Sequence, residues 1–317
     1  MSYLAQLTLR LAAGALSLPE DFRQRQARYL ASQQAADGGF PGRQGPGDLY
    51  YTGFALRGLA LVGALEEPVA ARAAAFLQAR LNDPLPAVDF LSLVSSAVLL
   101  EVIAGIDVFG RAGADRKERV ARALEPLRRD DGSYAKTSRG VHGSTYHTFL
   151  AAACKQLVGL PLDEAPEMLR WIASQRRADG GFVELAPLEH SGTNPTAAAI
   201  GLLRLLSTSE GPGSPGLDEP TRAGAARFLA GMQNFEGGLR ANTRIPAADL
   251  LSTFAGLVAL ADLDALAQVD RDAARRYVQA LELPEGGFRG GAWDDRADVE
   301  YTFYGLASLA LLAHPGA

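Results

Sequence analysis

Five times along the chain a short turn signal recurs, in which an acid leads into a glycine pair, or Gly-Ser, and then a large apolar residue. QQAADGGF ends at Phe40, RRDDGSY at Tyr134, QRRADGGF at Phe182, QNFEGGL at Leu239 and ELPEGGF at Phe288. The acids stand at 37, 131, 179, 236 and 285, so the intervals are 94, 48, 57 and 49 residues. The first interval is two periods, with a degenerate copy, RLNDPLPAVDF, where the missing signal belongs. The long third interval contains STSEGPGSPGLDEP, a Gly/Pro/Ser-rich stretch that predicts a surface insertion at about 206–219. A repeat of this length restricts the fold more than any other property of the chain.

Each signal is preceded by an amphipathic helical pattern, such as EDFRQRQARYLASQQ or DEAPEMLRWIASQRR, and followed by a polar loop and a more uniformly apolar helix. One amphipathic and one wholly apolar helix per period of about fifty residues means an outer helix and a buried inner one. Six such hairpins predict an all-α, (α/α)6 toroid in a single domain over 1–317, with repeats from about 20 and an extra N-terminal helix at 1–18. The glycines are expected to end the outer helices where positive φ is needed.

Composition excludes several classes. The formal charge is -5, which argues against nucleic acid as a partner. One cysteine, Cys154 in LAAACKQL, allows no intrachain disulfide and reads as a small core hydrophobe. No window is apolar for long enough to span a membrane. The N-terminal MSYLAQLTLRLAAGALSLPEDF has no basic leader, so the expected location is cytoplasmic. No G-x-S-x-G elbow, P-loop or dinucleotide fingerprint is present.

The Q-x-x-x-D-G-G-F repeats, QNFEGG, and the acids placed before the fifth and sixth apolar helices together resemble the β subunits of protein prenyltransferases. More distantly they resemble the toroid domains of class II terpene cyclases, squalene-hopene cyclase among them. The resemblance covers roughly residues 20–313 and implies a central apolar funnel for an isoprenoid chain. In protein prenyltransferases, zinc is held by an Asp and a Cys two residues apart and by a His in a D-x-x-H-T phrase. Here PAADLLSTF matches the Asp with Asp249 but has Leu251 for the Cys, and DVEYTF matches the acid with Asp298 but has Tyr301 for the His. Zinc is thus possible only in an altered form, since two of three ligand positions are unsuitable.

What remains is a polar rim above an aromatic wall. Inner helices converging by their N-termini favour a diphosphate, and the resemblance implies basic contacts at Arg240 and Arg244, with His142, His147 and His190 in neighbouring loops. Lys136 and Arg139 are further cations there. Tyr51, Tyr146, Phe254 and Tyr304, together with Tyr50, Phe54, Phe90, Phe149 and Phe303, stand in the first turns of apolar helices, where ring faces could stabilise an allylic or cyclising cation. DVEYTF also loosely resembles the D-x-D-D-T-A phrase of class II cyclases, with Glu300 at the protonating position. Asp48, Asp89 and Asp249 read equally well as helix N-caps. Three functions stand side by side: prenyl transfer with an altered or absent zinc site, metal-independent cyclisation with Glu300 or Asp298 as the acid, and a non-catalytic toroid that binds a prenyl lipid or a protein. A helical partner subunit, self-association and a solitary chain are all compatible with these motifs.

Overall fold

A computed structural model describes residues 2–83, 85–110, 116–209 and 217–313. Thirteen α-helices lie among the described residues. After α1 (Tyr3–Ala15) they alternate as expected: α2 (Glu20–Ser32) leads to α3 (Leu49–Leu61), α4 (Glu67–Gln78) to α5 (Ala87–Ala104), and α6 (Arg116–Leu124) to α7 (Thr145–Leu157). Then α8 (Ala165–Ser174) leads to α9 (Thr193–Ser209), α10 (Glu219–Ala230) to α11 (Leu250–Asp262), and α12 (Arg271–Gln279) to α13 (Val299–Ala313). The even-numbered helices are amphipathic; α13 buries every residue from Thr302 to Leu312. Three outer helices carry Pro in the first turn, where its missing N–H costs no hydrogen bond. Helix α9 runs to Ser209, so the first residues of the expected insertion are helical; 210–216 lie outside the described residues.

The chain divides into two compact units. A mid-chain unit of residues 2–7 and 117–277 packs α9 between α7 and α11. There Tyr3 anchors α1, its hydroxyl donating to Asp262 Oδ2 at 2.7 Å while its ring meets Phe149 edge-on. Cys154 is buried on α7, and burial pushes its thiol up to about 12, which leaves it inert. A flanking unit of residues 8–116 and 278–313 packs α3 between α5 and α13.

The turn signals do three jobs at once. The first glycine takes positive φ, +90° at Gly38, +92° at Gly180 and +95° at Gly237. Its missing side chain also matters: a Cβ at Gly38, Gly180 or Gly237 would lie 2.3–2.4 Å from a carbonyl oxygen of the next outer helix, that of Arg72, Gly224 or Ala273. The terminal ring or Leu is wholly buried, as Phe40, Phe182, Leu239 and Phe288 are, and truncating such a Phe costs about 3–5 kcal/mol. The backbone N–H of that residue donates to a threonine in the first turn of the following inner helix. Phe40 pairs with Thr52, Tyr134 with Thr148, Phe182 with Thr196 and Leu239 with Thr253, each at 2.9 Å, and Phe288 with Thr302 at 3.1 Å. Every one of these threonines is buried. The degenerate second repeat, with Leu91-Ser92-Leu93 after its Phe90, has lost the threonine together with the glycines.

Candidate active site

In the flanking unit, a two-stranded hairpin of β1 (Phe288–Arg289) and β2 (Ala297–Asp298) delivers the chain into α13. Asp298, only 4% exposed, caps that helix: one oxygen accepts from the Tyr301 N–H at 2.9 Å and the other from Arg43 Nε at 3.3 Å. The rest of the Arg43 guanidinium forks onto Asp294. Burial raises the Asp298 pKa, against the lowering effect of the Tyr301 N–H and Arg43. Burial would raise Asp294 as well, but hydrogen bonds from Arg43, Gly290 and Arg296 hold it below the ordinary range.

Two residues further on, Glu300 is held differently. It makes no cap; its Oε1 accepts from the Tyr50 hydroxyl at 2.7 Å and the Tyr304 hydroxyl at 3.1 Å. Burial is the largest influence on its carboxyl and raises its pKa, assisted by the nearby Asp298 and opposed by the two phenols and Arg57. Around it the rings of Tyr50, Phe54, Phe303 and Tyr304 pack edge-on or tilted with centroids 4.8–6.0 Å apart. The Arg57 guanidinium lies 4.3 Å over Phe54 and 4.7 Å over Phe303. These ring faces therefore already accommodate a cation. Tyr51 and Tyr301 occupy equivalent positions, each one residue before the buried threonine and each laid against a loop glycine. A Cβ at Gly42 would come within 2.8 Å of the Tyr51 ring, and one at Gly290 within 2.6 Å of Tyr301. Burial also raises the Tyr51 phenol.

In the mid-chain unit, Asp249 caps α11 with one oxygen, accepting from the Ser252 N–H at 2.6 Å, while the other accepts from Ser252 Oγ at 2.7 Å. Burial raises this carboxyl too, against those hydrogen bonds. Leu251 and Phe254 are partly exposed in the first turn of α11. The expected zinc ligands do not fit that metal. Position 251 is alkyl, position 301 is a phenol laid against glycine, and both Asp249 oxygens already accept from Ser252. No group of three or more His, Cys, Asp or Glu side chains suited to a metal occurs among the described residues.

The basic candidates separate. The Arg240 guanidinium donates to the Gly231 and Met232 carbonyls at the end of α10, as Arg289 does to Ala280 after the equivalent turn in the flanking unit. Arg244 meets His190 in a close hydrogen bond between exposed loops. His142, Lys136 and Arg139 are exposed on the loop before α7. Of the expected caps, Asp48 and Asp249 act as such, whereas Asp89 stands inside the first turn of α5, which starts from Pro86.

One cluster was not anticipated. Ser144, the cap of α7, contacts His147 Nδ1 at 2.8 Å and donates a close hydrogen bond to Glu184. His147 is only 8% exposed, and burial lowers its pKa; burial raises that of Glu184. Its signal was in the sequence, since STYHT (144–148) has the spacing of DVEYT (298–302) with Ser in the capping place. Glu184 had no comparable signal; it reaches Ser144 from the loop after the next turn.

Outer and inner helices paired six times, five of the pairs joined through glycine turns, define an α/α toroid protein. The family model "Prenyltransferase alpha-alpha toroid domain" matches residues 8–219 and 203–316, and the chain belongs to that family. Among solved structures it is similar to Candida albicans protein geranylgeranyltransferase-I complexed with GGPP, at 14% identity and TM-score 0.68 over 92% of both chains. It is likewise similar to a type II terpene cyclase from Scytonema in complex with geranylgeranyl dihydroxybenzoate, at 13% identity and TM-score 0.61 over 99% of this chain and 100% of that one. An α-1,6-mannanase from Salegentibacter shares the fold equally well, with TM-score 0.62 at 10% identity over 93% of this chain and 98% of that one. No curated protein sequence matches the chain significantly. No helix among the described residues is long and apolar enough to cross a membrane.

Proposed function

We propose that this protein is an isoprenoid-handling enzyme that works without zinc, a cyclase in which Glu300 is the acid. The observation that carries this reading is the setting of Glu300: a carboxyl free of capping duty, with its pKa raised, beneath two phenols and among four aromatic rings. A carboxyl kept protonated by burial can donate to an alkene carbon, forming a C–H bond and leaving a tertiary cation. Attack by a neighbouring double bond closes a ring, and loss of a proton from the cyclic cation ends the sequence and restores the acid. The Tyr50 and Tyr304 rings would stabilise the cation as it forms, Phe54 and Phe303 being already faced by Arg57. Asp298 serves by position, fixing the first turn of α13 and the Arg43 network. The substrate class follows from similarity as well as chemistry, since the solved relatives include proteins bound to GGPP and to a geranylgeranyl dihydroxybenzoate.

The experiment is incubation of chelator-treated protein with geranylgeranyl compounds, followed by mass spectrometry of the extracted lipid. The expected result is a cyclised isomer of unchanged mass, formed without added metal and lost in Glu300→Gln. Turnover that requires zinc, or a fully active Glu300→Gln protein, would overturn the proposal. A protein that binds these compounds and leaves them unchanged would be a lipid-binding toroid instead.

A further inference from the structure

Every large hydrophobic side chain that the mid-chain unit exposes among its described residues lies at one end. These are Val141, Tyr146, Leu188, Phe235 and Ile245. Val141, Leu188 and Ile245 occupy corresponding places in the three loops that lead into α7, α9 and α11. They stand seven, six and six residues after Tyr134, Phe182 and Leu239. Because these helices pack side by side, each entered from the same kind of turn, their loops adjoin. Thr145 N–H donates to Glu184 O at 3.0 Å and Thr193 N–H to Ala241 O at 2.8 Å, and Gly192 bridges to Asn242. The turn carrying Phe235 joins them through Asn234 Nδ2, which donates to Pro246 O at 2.9 Å. Val141 is 82% and Phe235 95% exposed, so these side chains are not the edge of a core.

The loops are also braced. Arg129 donates to the carbonyls of Thr137 at 3.0 Å and Gly140 at 2.9 Å, and Arg177 to those of Ala186 at 2.8 Å and Leu188 at 2.9 Å. Their apolar tips are thus held outward by dedicated hydrogen bonds. Two of the three loops are cationic and contain no acid: AKTSRGVHG (135–143) carries the exposed Lys136 and Arg139, and RANTRIPAA (240–248) carries Arg244 as well as Arg240, whose guanidinium turns back to the end of α10; the third, VELAPLEHS (183–191), carries Glu184 and Glu189. Separate apolar tips with cations between them suit a fluid surface of acyl chains and anionic headgroups. A packed protein interface would need a contiguous apolar centre. In the flanking unit, the corresponding loop carries Trp293, 64% exposed.

We propose that the loop end of the mid-chain unit docks on an anionic lipid bilayer, with Val141, Leu188, Phe235 and Ile245 entering the interface. This goes beyond the cyclase reading and does not depend on it. The test is co-sedimentation of the full chain with phosphatidylcholine vesicles and with vesicles containing one quarter phosphatidylglycerol, in the absence of any isoprenoid. The predicted result is binding to the anionic vesicles, weakened by 0.5 M salt and reduced by about tenfold or more in Val141→Asp/Leu188→Asp/Ile245→Asp. All three changes are at exposed positions, and circular dichroism and light scattering verify that the variant folds and report its mass. Absence of binding to anionic vesicles at low salt, or undiminished binding by the triple variant, would overturn the proposal. So would a wild-type dimer that the triple variant converts to a monomer, because these tips would then face protein.

Discussion

Helices α11 and α13 start from the same phrase, an Asp cap followed four residues later by a buried threonine, yet the two starts use their carboxylates differently. Asp249 gives both oxygens to Ser252; Asp298 divides its own between the Tyr301 N–H and Arg43. Only the first turn of α13 has a second acid, Glu300, whose partners are phenols rather than backbone. The geometry of the helix start is thus repeated from copy to copy, whereas an acid two residues after the cap stands in α13 and not in α11. Burial raises all three carboxyls, but at Asp249 and Asp298 the capping N–H opposes it, whereas at Glu300 the opposition comes from the two phenols and Arg57. The carboxyl at 249 is thus tied to a helix start, whereas the one at 300 is free of capping, which is why the proposed cyclisation assigns it the acid's role.

The largest effect should separate the two starts at once. Glu300→Gln keeps the acceptor for Tyr50 and Tyr304 but has no proton to give, and is predicted to lower cyclisation by about 10²- to 10⁴-fold. Asp249→Asn, which keeps an acceptor for the α11 cap, should leave turnover within a few-fold of wild type; initial rates on a geranylgeranyl substrate decide this. A comparable loss in both variants would erase the distinction.

What the starts share can be broken next. Thr253→Val and Thr302→Val each strand the buried N–H of the preceding turn, and each should cost about 1–3 kcal/mol in denaturant unfolding. Removing the cap with Asp249→Ala should cost about 1 kcal/mol and, unlike Glu300→Gln, should lower stability with little change in chemistry per folded molecule.

The pH dependence sharpens the contrast further. A raised carboxyl in the folded state means that Glu300 contributes stability below its unfolded value of about 4.3 and loses that contribution as pH rises through its folded value. Glu300→Gln should therefore melt higher than wild type at pH 7, and the gap should close as pH falls toward 4. A gap that widens on acidification would show that the ionised form is the one the fold prefers.

The helical alternation, its six periods and the toroid class were legible because glycine turns and apolar helices repeat at fixed spacing. The threonine pins were equally repetitive, in YYT, YHT, NPT, LST and EYT, but a hydroxyl's partner cannot be read from its spacing. Asp298 and Glu300 could be singled out as acids, whereas their division of labour depends on where Arg43 and Tyr50 arrive from, about 250 residues earlier. Arg240 shows the converse. Its position in a rim segment suggested an anion contact, but its guanidinium is directed at the carbonyls that end α10, because every turn leaves such carbonyls to be satisfied. Charge in a loop reveals neither its direction nor its partner.

Protonation of Glu300 is the step on which the proposed cyclisation depends most directly. Its titration can be followed by carbon NMR of side-chain-labelled glutamate, with the signal assigned by its loss in Glu300→Gln. The expected midpoint lies above the ordinary glutamate value of about 4.3 and moves upward when Tyr50→Phe removes a bond to the ionised form. A midpoint at or below the ordinary value, unmoved by Tyr50→Phe, would contradict it.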